Sequence, residues 1–362
     1  MKKKRIYIIG TVGLPPRYGG FETLVDNLVK YLSSEFDFTV FCSSKFYEKK
    51  LRQYNGAKLK YLPLNANGIE SIIYDVLSMI ISKNKADIML ILGVSGCIAL
   101  PILRKFYKGR IIVHIDGLEW KRAKWNSLAR RFLKFSEKLA IKYSDAIISD
   151  NIAIKEYIEK EYNKESYFIA YGGDHLSKEP LTEKVIKMFP FLKEDYALTI
   201  CRIEPENNIH LILEAFKKYK KLNYVIVGNF DMNQYGKELK KRYQKEKNIF
   251  MLKSIYDKKI LNQIKSNCKL YIHGHSVGGT NPSLVEAMYL GLPIVAYDVI
   301  FNRKTTGNKA KYFRNVDDII NILKGLNTLE LKKIGKEMFN IAKNEYTWKK
   351  IISKYKNLFK EV

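Results

Sequence analysis

The chain has 362 residues, 46% of them hydrophobic, and its 64 Lys and Arg against 37 Asp and Glu give a formal net charge of +27. This apolar content excludes a disordered chain, and the length suffices for two domains of ordinary size. The positive charge is dispersed, and it fits nucleic acid, an anionic membrane surface or a phosphorylated substrate as partner. A general bias towards lysine would give the same excess without any partner.

The first ten residues, MKKKRIYIIG, combine a basic start with a short apolar run. No cleavage site of small residues follows, so the run predicts a first β-strand and not a signal peptide. A second apolar stretch, from Ile88 to Leu103, is uncharged but short for a membrane span, and two glycines and a proline interrupt it. We predict a strand, a turn and a helix there, and no membrane span.

The four cysteines are far apart and form no CxxC pair. Most of them end or adjoin apolar runs, which predicts buried thiols in a reducing compartment. The sequence contains no HExxH or P-loop motif, so it does not support zinc or NTPase chemistry.

Apolar strands alternate with amphipathic helical stretches through the first half of the chain. Strands are predicted at 5–10, 38–42, 87–92, 110–115, 145–149 and 166–170. Helices are predicted near 20–33, 69–83, 97–107, 125–143 and 151–161. Because the strands lack a polar face, the pattern indicates an α/β fold with a doubly wound parallel sheet.

Residues 171–194 are less regular and contain two glycines and two prolines, so we predict a linker at 176–194. The alternation then restarts, with strands at 196–201, 222–227, 248–252, 269–272 and 293–297. Helices are predicted near 208–220, 233–246, 256–266, 281–290, 315–326 and 328–343. We therefore expect two Rossmann-like domains, 1–175 and 195–345, facing a central cleft, and a C-terminal helix at 346–362 that can pack back on the first domain.

Ligands of such sheets bind at the carboxyl ends of the strands, which directs attention to the loops there. The loop at 10–23, GTVGLPPRYGGFET, places Gly19 and Gly20 just before a helix. Glycines in that position let a phosphate approach the backbone amides closely. The spacing is not GxGxxG, so a dinucleotide fingerprint is not indicated, and a purely structural turn is the alternative.

The segment 113–125, VHIDGLEWKRAKW, brings His114, Asp116 and Glu119 to a strand end. These side chains can move protons or take up sugar hydroxyls, as a transferase requires. An Asp–Gly pair also shapes turns, which is the structural alternative.

In the loop 201–210, CRIEPENNIH, Arg202 follows a strand, and its guanidinium suits the oxygens of a diphosphate.

The segment 271–298, YIHGHSVGGTNPSLVEAMYLGLPIVAYD, reads as a strand, a glycine-rich turn, a helix and a second strand. The helix opens at Thr280–Asn281–Pro282, so backbone N–H groups and the helix dipole there favour an anion. Glu286 lies one turn further on, where a carboxylate can take the hydroxyls of a ribose. This segment predicts a nucleotide site.

The stretch 125–143, WNSLARRFLKFSEKLAIKY, has one apolar stripe and many basic residues against a single Glu137. The stripe fits a core-facing helix with a solvated charged face. The alternative is a flank that lies on anionic lipid headgroups.

With these loops assembled, the chain resembles the retaining GT-B glycosyltransferases of family 4, and more closely their bacterial rhamnosyltransferase branch. The residues that carry the resemblance are YGGFET (18–23), DGLEWKRAKW (116–125), Ala170–Tyr171–Gly172 with Asp174, PENN (205–208) and HGHSVGGTNPSLVEAM (273–288). They lie in both halves of the chain, and the last motif is long and specific.

The resemblance implies a nucleotide-sugar donor held mainly by the second domain and an acceptor held mainly by the first. Glu286 should contact the donor ribose. The other implied donor-side residues are Gly19, Gly20, Arg202, Asn207, Asn208, His273, Gly278, Gly279, Thr280, Asn281 and Ser283. The implied acceptor-side residues are Arg17, Tyr18, Glu119 and Trp120. We expect no cofactor and no metal, since loop amides and an arginine can neutralise the diphosphate.

Two positions depart from the wider family. The usual Glu-x7-Glu pair has Gly278 at its first position, which affects how the hydroxyls of the donor sugar are held. The usual phosphate-binding lysine after Pro-Glu is replaced by Asn207 or Asn208, which places more of the diphosphate charge on Arg202 and the loop amides. No nucleophile is evident, so front-face displacement with Asp116 or His114 as the catalytic residue is the expected mechanism.

The branch commonly uses dTDP-L-rhamnose and extends a lipid-linked saccharide in the assembly of bacterial surface polysaccharide. The resemblance thus implies a cytoplasmic rhamnosyltransferase associated peripherally with the anionic inner face of the plasma membrane. UDP-glucose, UDP-galactose and UDP-N-acetylglucosamine are the alternative donors. A nucleic-acid-binding protein is disfavoured, because the basic residues are dispersed and no binding module is present.

Overall fold

The computed structural model describes residues 2–17, 19–122 and 125–362. The elements of the first half are β1 (Arg5–Ile9), α1 (Gly19–Leu32), β2 (Asp37–Ser43), β3 (Gln53–Tyr54), β4 (Ala57–Leu62), α2 (Glu70–Ser82), β5 (Ile88–Leu92), α3 (Leu100–Phe106), β6 (Arg110–Ile115), α4 (Ser127–Tyr143), β7 (Ala146–Ser149), α5 (Ile152–Tyr162) and β8 (Tyr167–Phe168). Short 3₁₀ helices lie at Ser95–Ala99 and Glu119–Lys121.

The second half begins with α6 (Glu183–Met188) and 3₁₀ turns at Pro190–Lys193 and, later, Pro205–Asn207. The remaining elements are β9 (Tyr196–Ile200), α7 (Ile209–Lys218), β10 (Asn223–Val227), α8 (Gln234–Tyr243), β11 (Ile249–Leu252), α9 (Lys258–Ser266), β12 (Leu270–His273), α10 (Pro282–Tyr289), β13 (Ile294–Tyr297), α11 (Ile300–Thr305), β14 (Lys311–Phe313), α12 (Val316–Gly325), α13 (Thr328–Glu345) and α14 (Trp348–Glu361).

The chain folds into two compact units. Unit 1 comprises Met1–Tyr171 together with Trp348–Val362, and unit 2 comprises Gly172–Thr347. The sheet of unit 1 has the strand order β3-β4-β2-β1-β5-β6-β7-β8. Its pairs are parallel except for the antiparallel edge pair β3–β4.

Unit 2 contains a wholly parallel sheet with the strand order β11-β10-β9-β12-β13-β14. In each sheet the strand order reverses beside the first strand of the unit, between β1 and β5 and between β9 and β12. This reversal is the topological switch point at which doubly wound sheets bind ligands. The prediction of two Rossmann-like α/β domains is confirmed.

The sequence pattern missed the strands β3, β4 and β14 and the short helices α6 and α11. Strand β4, with the sequence AKLKYL, lies near the edge of its sheet. Its two lysines interrupt the apolar run that a central strand would have. The uncharged stretch at 88–103 forms β5, a 3₁₀ turn and the start of α3, as expected.

Residues 176–194, which the sequence suggested as a linker, form part of unit 2. Three amide side chains of α9 and its C-cap hold this stretch. Asn262 donates to the carbonyl of Ser177 at 2.9 Å, Asn267 donates to that of Glu179 at 2.7 Å, and Gln263 accepts from the Thr182 amide at 2.9 Å. The glycines and prolines therefore shape an attached segment, and the boundary between the units follows Tyr171.

Helix α14 packs within unit 1, although the chain reaches it only after completing unit 2. The ring of Phe359 is fully buried and contacts the rings of Phe36 and Phe38, with centroids 5.6 and 6.4 Å away. The ammonium of Lys4 donates to the carbonyls of Phe359 and Val362, at 3.0 and 2.8 Å. The last residues of the chain thus complete the core of its first unit.

Truncation of Phe359 tests this anchor. We expect Phe359→Ala to lower the free energy of unfolding of unit 1 by about 3–5 kcal/mol, because a large buried ring leaves a cavity. All three tryptophans, Trp120, Trp125 and Trp348, belong to unit 1, so tryptophan fluorescence in urea reports this unit. Asn357→Ala, at an exposed position of the same helix, is the control and should change stability by less than about 0.5 kcal/mol.

Candidate functional site

In unit 2, the loops after β9 and β12 lie side by side, because these strands pair at the switch point. The amide and the hydroxyl of Ser276 donate to the carbonyl of Glu206, at 2.9 and 2.8 Å. A Cβ on Gly274 would meet the carbonyl oxygen of Asn207 at 2.1 Å, so only glycine allows this approach. The two predicted donor loops therefore form one surface.

Asn207 and Asn208 hold these loops together. The Asn207 amide donates to the carbonyl of Arg202 at 2.7 Å, and the Asn208 amide donates to that of Gly274 at 2.8 Å. Asn208 has a left-handed backbone, with φ 51°. These contacts give both asparagines a structural role in the loop that presents the exposed Arg202 at the end of β9.

The glycine-rich turn leads directly into α10. Gly278 has φ 132°, a conformation that favours glycine and disfavours any larger side chain at this position. Gly279 and Thr280 are buried, Asn281 is the N-cap and Pro282 is the first helical residue, while Ser283 follows in the first turn. The N–H groups of a first helical turn have no partner within their own helix, so this turn is suited to an anion.

Glu286 on α10 is the centre of a charged cluster. Its Oε2 pairs with the ammonium of Lys265, a lysine on α9 whose side chain is only 4% exposed. Its Oε1 lies 3.2 Å from Nε2 of His175. Each carboxylate oxygen has two acceptor positions, so each retains one for a hydroxyl donor.

The charge of Glu286 is set by these neighbours. Burial raises the pKa of the carboxyl group, but the Lys265 ammonium and the hydrogen bond from His175 outweigh it and lower the pKa to about 2. Glu286 is therefore a fixed carboxylate at neutral pH. Gly173 lies behind it, where an added Cβ would meet the carbonyl of Val285 at 2.6 Å, so the segment after Tyr171 packs closely against α10.

His273 is the last residue of β12 and is 1% exposed. Within the described residues, neither of its ring nitrogens has a hydrogen-bond partner. Its ring stacks on that of His275 with centroids 4.2 Å apart, and burial lowers its pKa to about 3. A neutral imidazole with unused nitrogens is suited to accept or donate a hydrogen bond to a ligand.

In unit 1, His114 is the penultimate residue of β6 and is surrounded by aromatic rings. Its Nδ1 lies 3.0 Å from the hydroxyl of Tyr355 on α14, and the ring of Phe21 contacts it edge-on at 5.3 Å. The ring of Tyr171 stacks at 6.2 Å. Burial lowers the pKa of His114 to about 3, so the ring is neutral at physiological pH.

Asp116 lies two residues beyond His114 and is partly exposed. The charge of Asp116 contributes to raising the pKa of Glu22, for which burial is the larger cause. Glu22 on α1 is 4% exposed and accepts hydrogen bonds from the Thr11 hydroxyl and the Val12 amide, both at 2.8 Å. Two carboxyl groups and one neutral imidazole thus lie at the carboxyl ends of β1 and β6.

The predicted acceptor-side residues contact different parts of unit 1. Arg17 donates to the carbonyl of Phe46 at 3.0 Å and lies over the ring of Tyr47, while Tyr18 is outside the described residues. Gly19 and Gly20 open α1, and Gly19 has φ 82°.

Glu119 accepts from the indole of Trp125 at 3.1 Å. The Trp120 indole donates to Glu137 at 3.0 Å, and the ammonium of Lys134 lies 4.8 Å from its ring centroid, so Trp120 packs towards α4. The structure therefore groups His114 and Asp116 but directs Glu119 and Trp120 to other partners.

Four functional candidates escaped the sequence analysis: Lys265, His175, Glu22 and Tyr355. Lys265 and Tyr355 meet their partners across 21 and 241 residues of sequence, and neither lies in a recognisable motif. Glu22 lies within YGGFET, so its position two residues after Gly20 was the one local signal.

Within residues 2–17, 19–122 and 125–362, no group of three or more His, Cys, Asp or Glu residues is placed to hold a metal ion. Over the same residues, no helix combines the length and the apolar character that a membrane crossing requires.

Comparison with known families assigns a class to this arrangement. Residues 183–348, nearly the whole of unit 2, match the family described as Glycosyl transferases group 1. Residues 3–174 match a family described only as Domain of unknown function (DUF1972). The paired Rossmann-like units and the first of these matches support a glycosyltransferase with the GT-B fold.

Individual relatives agree with this class. The Uncharacterized glycosyltransferase MJ1069 of Methanocaldococcus jannaschii is 23% identical over 96% of this chain and 96% of that protein. Protein CapJ of Staphylococcus aureus is 26% identical over 78% of this chain and 71% of that protein. The crystal structure of Anabaena Alr3699/HepE in complex with UDP-glucose is similar in fold, with a TM-score of 0.77 and 14% identity over 100% of each chain.

The Lys265–Glu286 pair gives a stability test. Lys265→Met should lower the free energy of unfolding of unit 2 by about 3–5 kcal/mol, because it leaves a partly buried carboxylate without its cation. Lys265→Met with Glu286→Gln should recover more than half of this loss. Calorimetry at pH 7 measures the cycle, and Lys269→Met, which breaks an exposed pair with Asp195, is the control.

The same pair has a defined pH dependence. Because the pKa of Glu286 is depressed in the folded state, its stabilisation is present above about pH 4.3, the ordinary value for glutamate, and is lost as the pH falls towards 2. If Lys265→Met alone and Lys265→Met with Glu286→Gln lowered the free energy of unfolding equally, the pairing of Lys265 with Glu286 would be contradicted.

Proposed function

We propose that this protein is a retaining family 4 glycosyltransferase that transfers a sugar from a nucleotide-sugar donor, with dTDP-L-rhamnose as the preferred donor. The observation that carries the proposal is Glu286, held as a carboxylate by Lys265 and His175 one turn into α10. A fixed carboxylate beside a glycine-rich helix start suits the two ends of a nucleoside diphosphate, its ribose hydroxyls and its phosphates.

The donor is held as follows in this proposal. Glu286 accepts hydrogen bonds from the ribose hydroxyls, and the amides of 278–283 together with Arg202 bind the diphosphate. His273 is a buried neutral ring with unused nitrogens among the described residues, and it is suited to a sugar or phosphate oxygen. No metal is required, because the arginine and the helix start supply the positive charge.

Gly278 bears on the sugar of the donor. Gly278 replaces the carboxylate that holds sugar hydroxyls in the wider family, and its backbone conformation disfavours any other residue. A 6-deoxy sugar such as L-rhamnose is in keeping with this change and with the resemblance of the HGHSVGGTNPSLVEAM segment. With retention, a β-configured donor gives a β-linked rhamnoside.

A UDP-hexose is the second candidate donor. The HepE structure, similar in fold to this chain, contains UDP-glucose, although its 14% identity transfers the fold and not the substrate. UDP-glucose, UDP-galactose and UDP-N-acetylglucosamine therefore belong in the same binding experiment.

The proposed acceptor is a lipid-linked saccharide used in bacterial surface polysaccharide. Support comes from the resemblance and from the net charge of +27, which suits an enzyme that works at an anionic membrane surface. The proposed location is the cytoplasm, at the inner face of the plasma membrane.

The proposed reaction is a front-face displacement. The acceptor hydroxyl oxygen bonds to the anomeric carbon on the face from which the diphosphate oxygen departs, and the acceptor proton passes to that departing oxygen. Asp116 lies at the reacting centre, with His114 as a neutral hydrogen-bonding group oriented by Tyr355.

A donor panel tests the proposal. We expect dTDP-L-rhamnose to bind more tightly than the UDP-hexoses and GDP-mannose in calorimetric titrations of the full chain. Glu286→Gln should weaken donor binding by roughly 10- to 100-fold, because hydrogen bonds to a charged group contribute a factor of about this size. Glu238→Gln, at an exposed position of unit 2, is the control. Absence of binding by every nucleotide sugar would contradict the proposed activity, and tighter binding of a UDP-hexose would assign the second donor.

Two substitutions in unit 1 test the reacting centre. Asp116→Asn should lower turnover by about 100-fold with little change in donor affinity, as expected for a group that acts mainly in the transition state. His114→Gln should leave the shape of the pH–rate profile between pH 5 and 8 unchanged, since a group with a pKa of about 3 does not titrate there. Full turnover by both variants would place the reacting centre elsewhere.

A further inference from the structure

Helix α2 exposes several apolar side chains and buries several polar ones. Its buried side carries three serines, Ser71, Ser78 and Ser82, beside Tyr74 and Met79. Its exposed side carries Ile73 and Ile80, which are 55% and 49% exposed. The buried hydroxyls are satisfied inside the chain: Ser78 donates to the carbonyl of Tyr74 at 2.7 Å and Ser82 to that of Ser78 at 2.6 Å. A surface helix of a globular protein normally has the opposite arrangement, with its apolar stripe facing the core.

The exposed side of α2 is a continuous apolar stripe. Ile69, Ile73, Leu77 and Ile80 are all exposed, and their spacing of four, four and three residues places them on one side of the helix. Over α2 itself the charged residues are Glu70, which pairs with Lys45, and the buried Asp75. The stripe therefore has almost no charge of its own.

Helices α3 and α4 lie on the same side of the sheet as α2. The strands that they connect advance in one direction through β4, β5, β6 and β7, and right-handed crossovers then place all three helices on one face. The ammonium of Lys83, just after α2, lies 5.6 Å from the ring centroid of Phe106 at the end of α3. Ile102 and Phe106 of α3 are 65% and 66% exposed, so the apolar surface continues onto α3.

Cations accompany this apolar surface. The exposed charged residues of α3 and α4 are all basic, since Glu137, the one acidic residue of the two helices, is buried. Exposed Leu128 and Phe135 of α4 add apolar area among these cations. The exposed basic residues are Lys105, Arg130, Arg131, Lys138 and Lys142.

We propose that the apolar stripe of α2 and α3, with the cations of α4, is the surface by which this protein binds an anionic lipid bilayer. Apolar side chains of an in-plane helix enter the boundary between headgroups and acyl chains, and adjacent lysines and arginines attract anionic headgroups. A second copy of the chain fits less well, because pairing this face with itself would bring two sets of cations together.

The inference deepens the proposed membrane association and rests on it. It places the apolar contact on α2 and α3 and gives α4 the electrostatic part, whereas the sequence pointed to α4 alone. Vesicle binding needs no donor or acceptor, so this inference can fail independently of the proposed glycosyl transfer.

Vesicle flotation of the full chain tests it, with phosphatidylcholine vesicles and with vesicles of about three parts phosphatidylcholine to one part phosphatidylglycerol. The double variant Ile73→Gln/Ile80→Gln should bind the mixed vesicles at least about tenfold more weakly than the native chain. The matched control, Ile300→Gln/Leu329→Gln, removes two exposed apolar side chains of unit 2 and should bind normally. Lys138→Glu/Lys142→Glu should remove the preference for the mixed vesicles.

Circular dichroism melting and donor titration on the same variants establish that they are folded and retain the site of unit 2. Unchanged vesicle binding by the α2 variant, or equal losses in the control, would overturn the inference. A native dimer that the α2 variant splits without loss of vesicle binding would also overturn it, and would make the face a self-association surface.

Discussion

The reversal of strand order beside β1 and beside β9 is the constraint on which both units depend. At each reversal, successive crossovers leave in opposite directions, so the loops at the carboxyl ends of the two neighbouring strands are not covered by a helix. Unit 1 places Glu22, His114 and Asp116 around its reversal, and unit 2 places Arg202, His273 and the glycine-rich turn around the other. The candidate functional residues therefore lie where the topology leaves the ends of the strands uncovered.

In each site, one buried group is held in a single protonation state. Glu286 remains ionised because a lysine from the neighbouring helix compensates its burial. His114 has no such partner charge, and its burial keeps the ring neutral. One site therefore offers a permanent acceptor, and the other offers a hydrogen-bonding ring that does not respond to physiological pH.

Much of the fold follows from local pattern. The central strands are continuous apolar runs, which sequence reading detects well, whereas β4 near a sheet edge and the short α6 and α11 lack that signal. The segment 176–194 was misread because glycine and proline mark both linkers and attached loops, and only the amides of α9 distinguish the two.

The candidate site residues were predicted from motifs in the sequence. What the motifs could not supply are partners far away in sequence, such as Lys265 for Glu286 and Tyr355 for His114, since pairing across a folded sheet leaves no local trace. The roles of Asn207 and Asn208 also depend on which carbonyls their amides reach, and this is a property of the folded loops.

The place of α14 in unit 1 has a consequence for synthesis. Unit 1 lacks its last helix until the 176 residues of unit 2 have been translated, because α14 begins at Trp348. At about 5–20 residues per second this interval is roughly 9–35 s, during which the apolar side of α1 and β2 that receives Phe359 is uncovered. Unit 2 is contiguous in sequence, so it can complete its core before α14 completes that of unit 1.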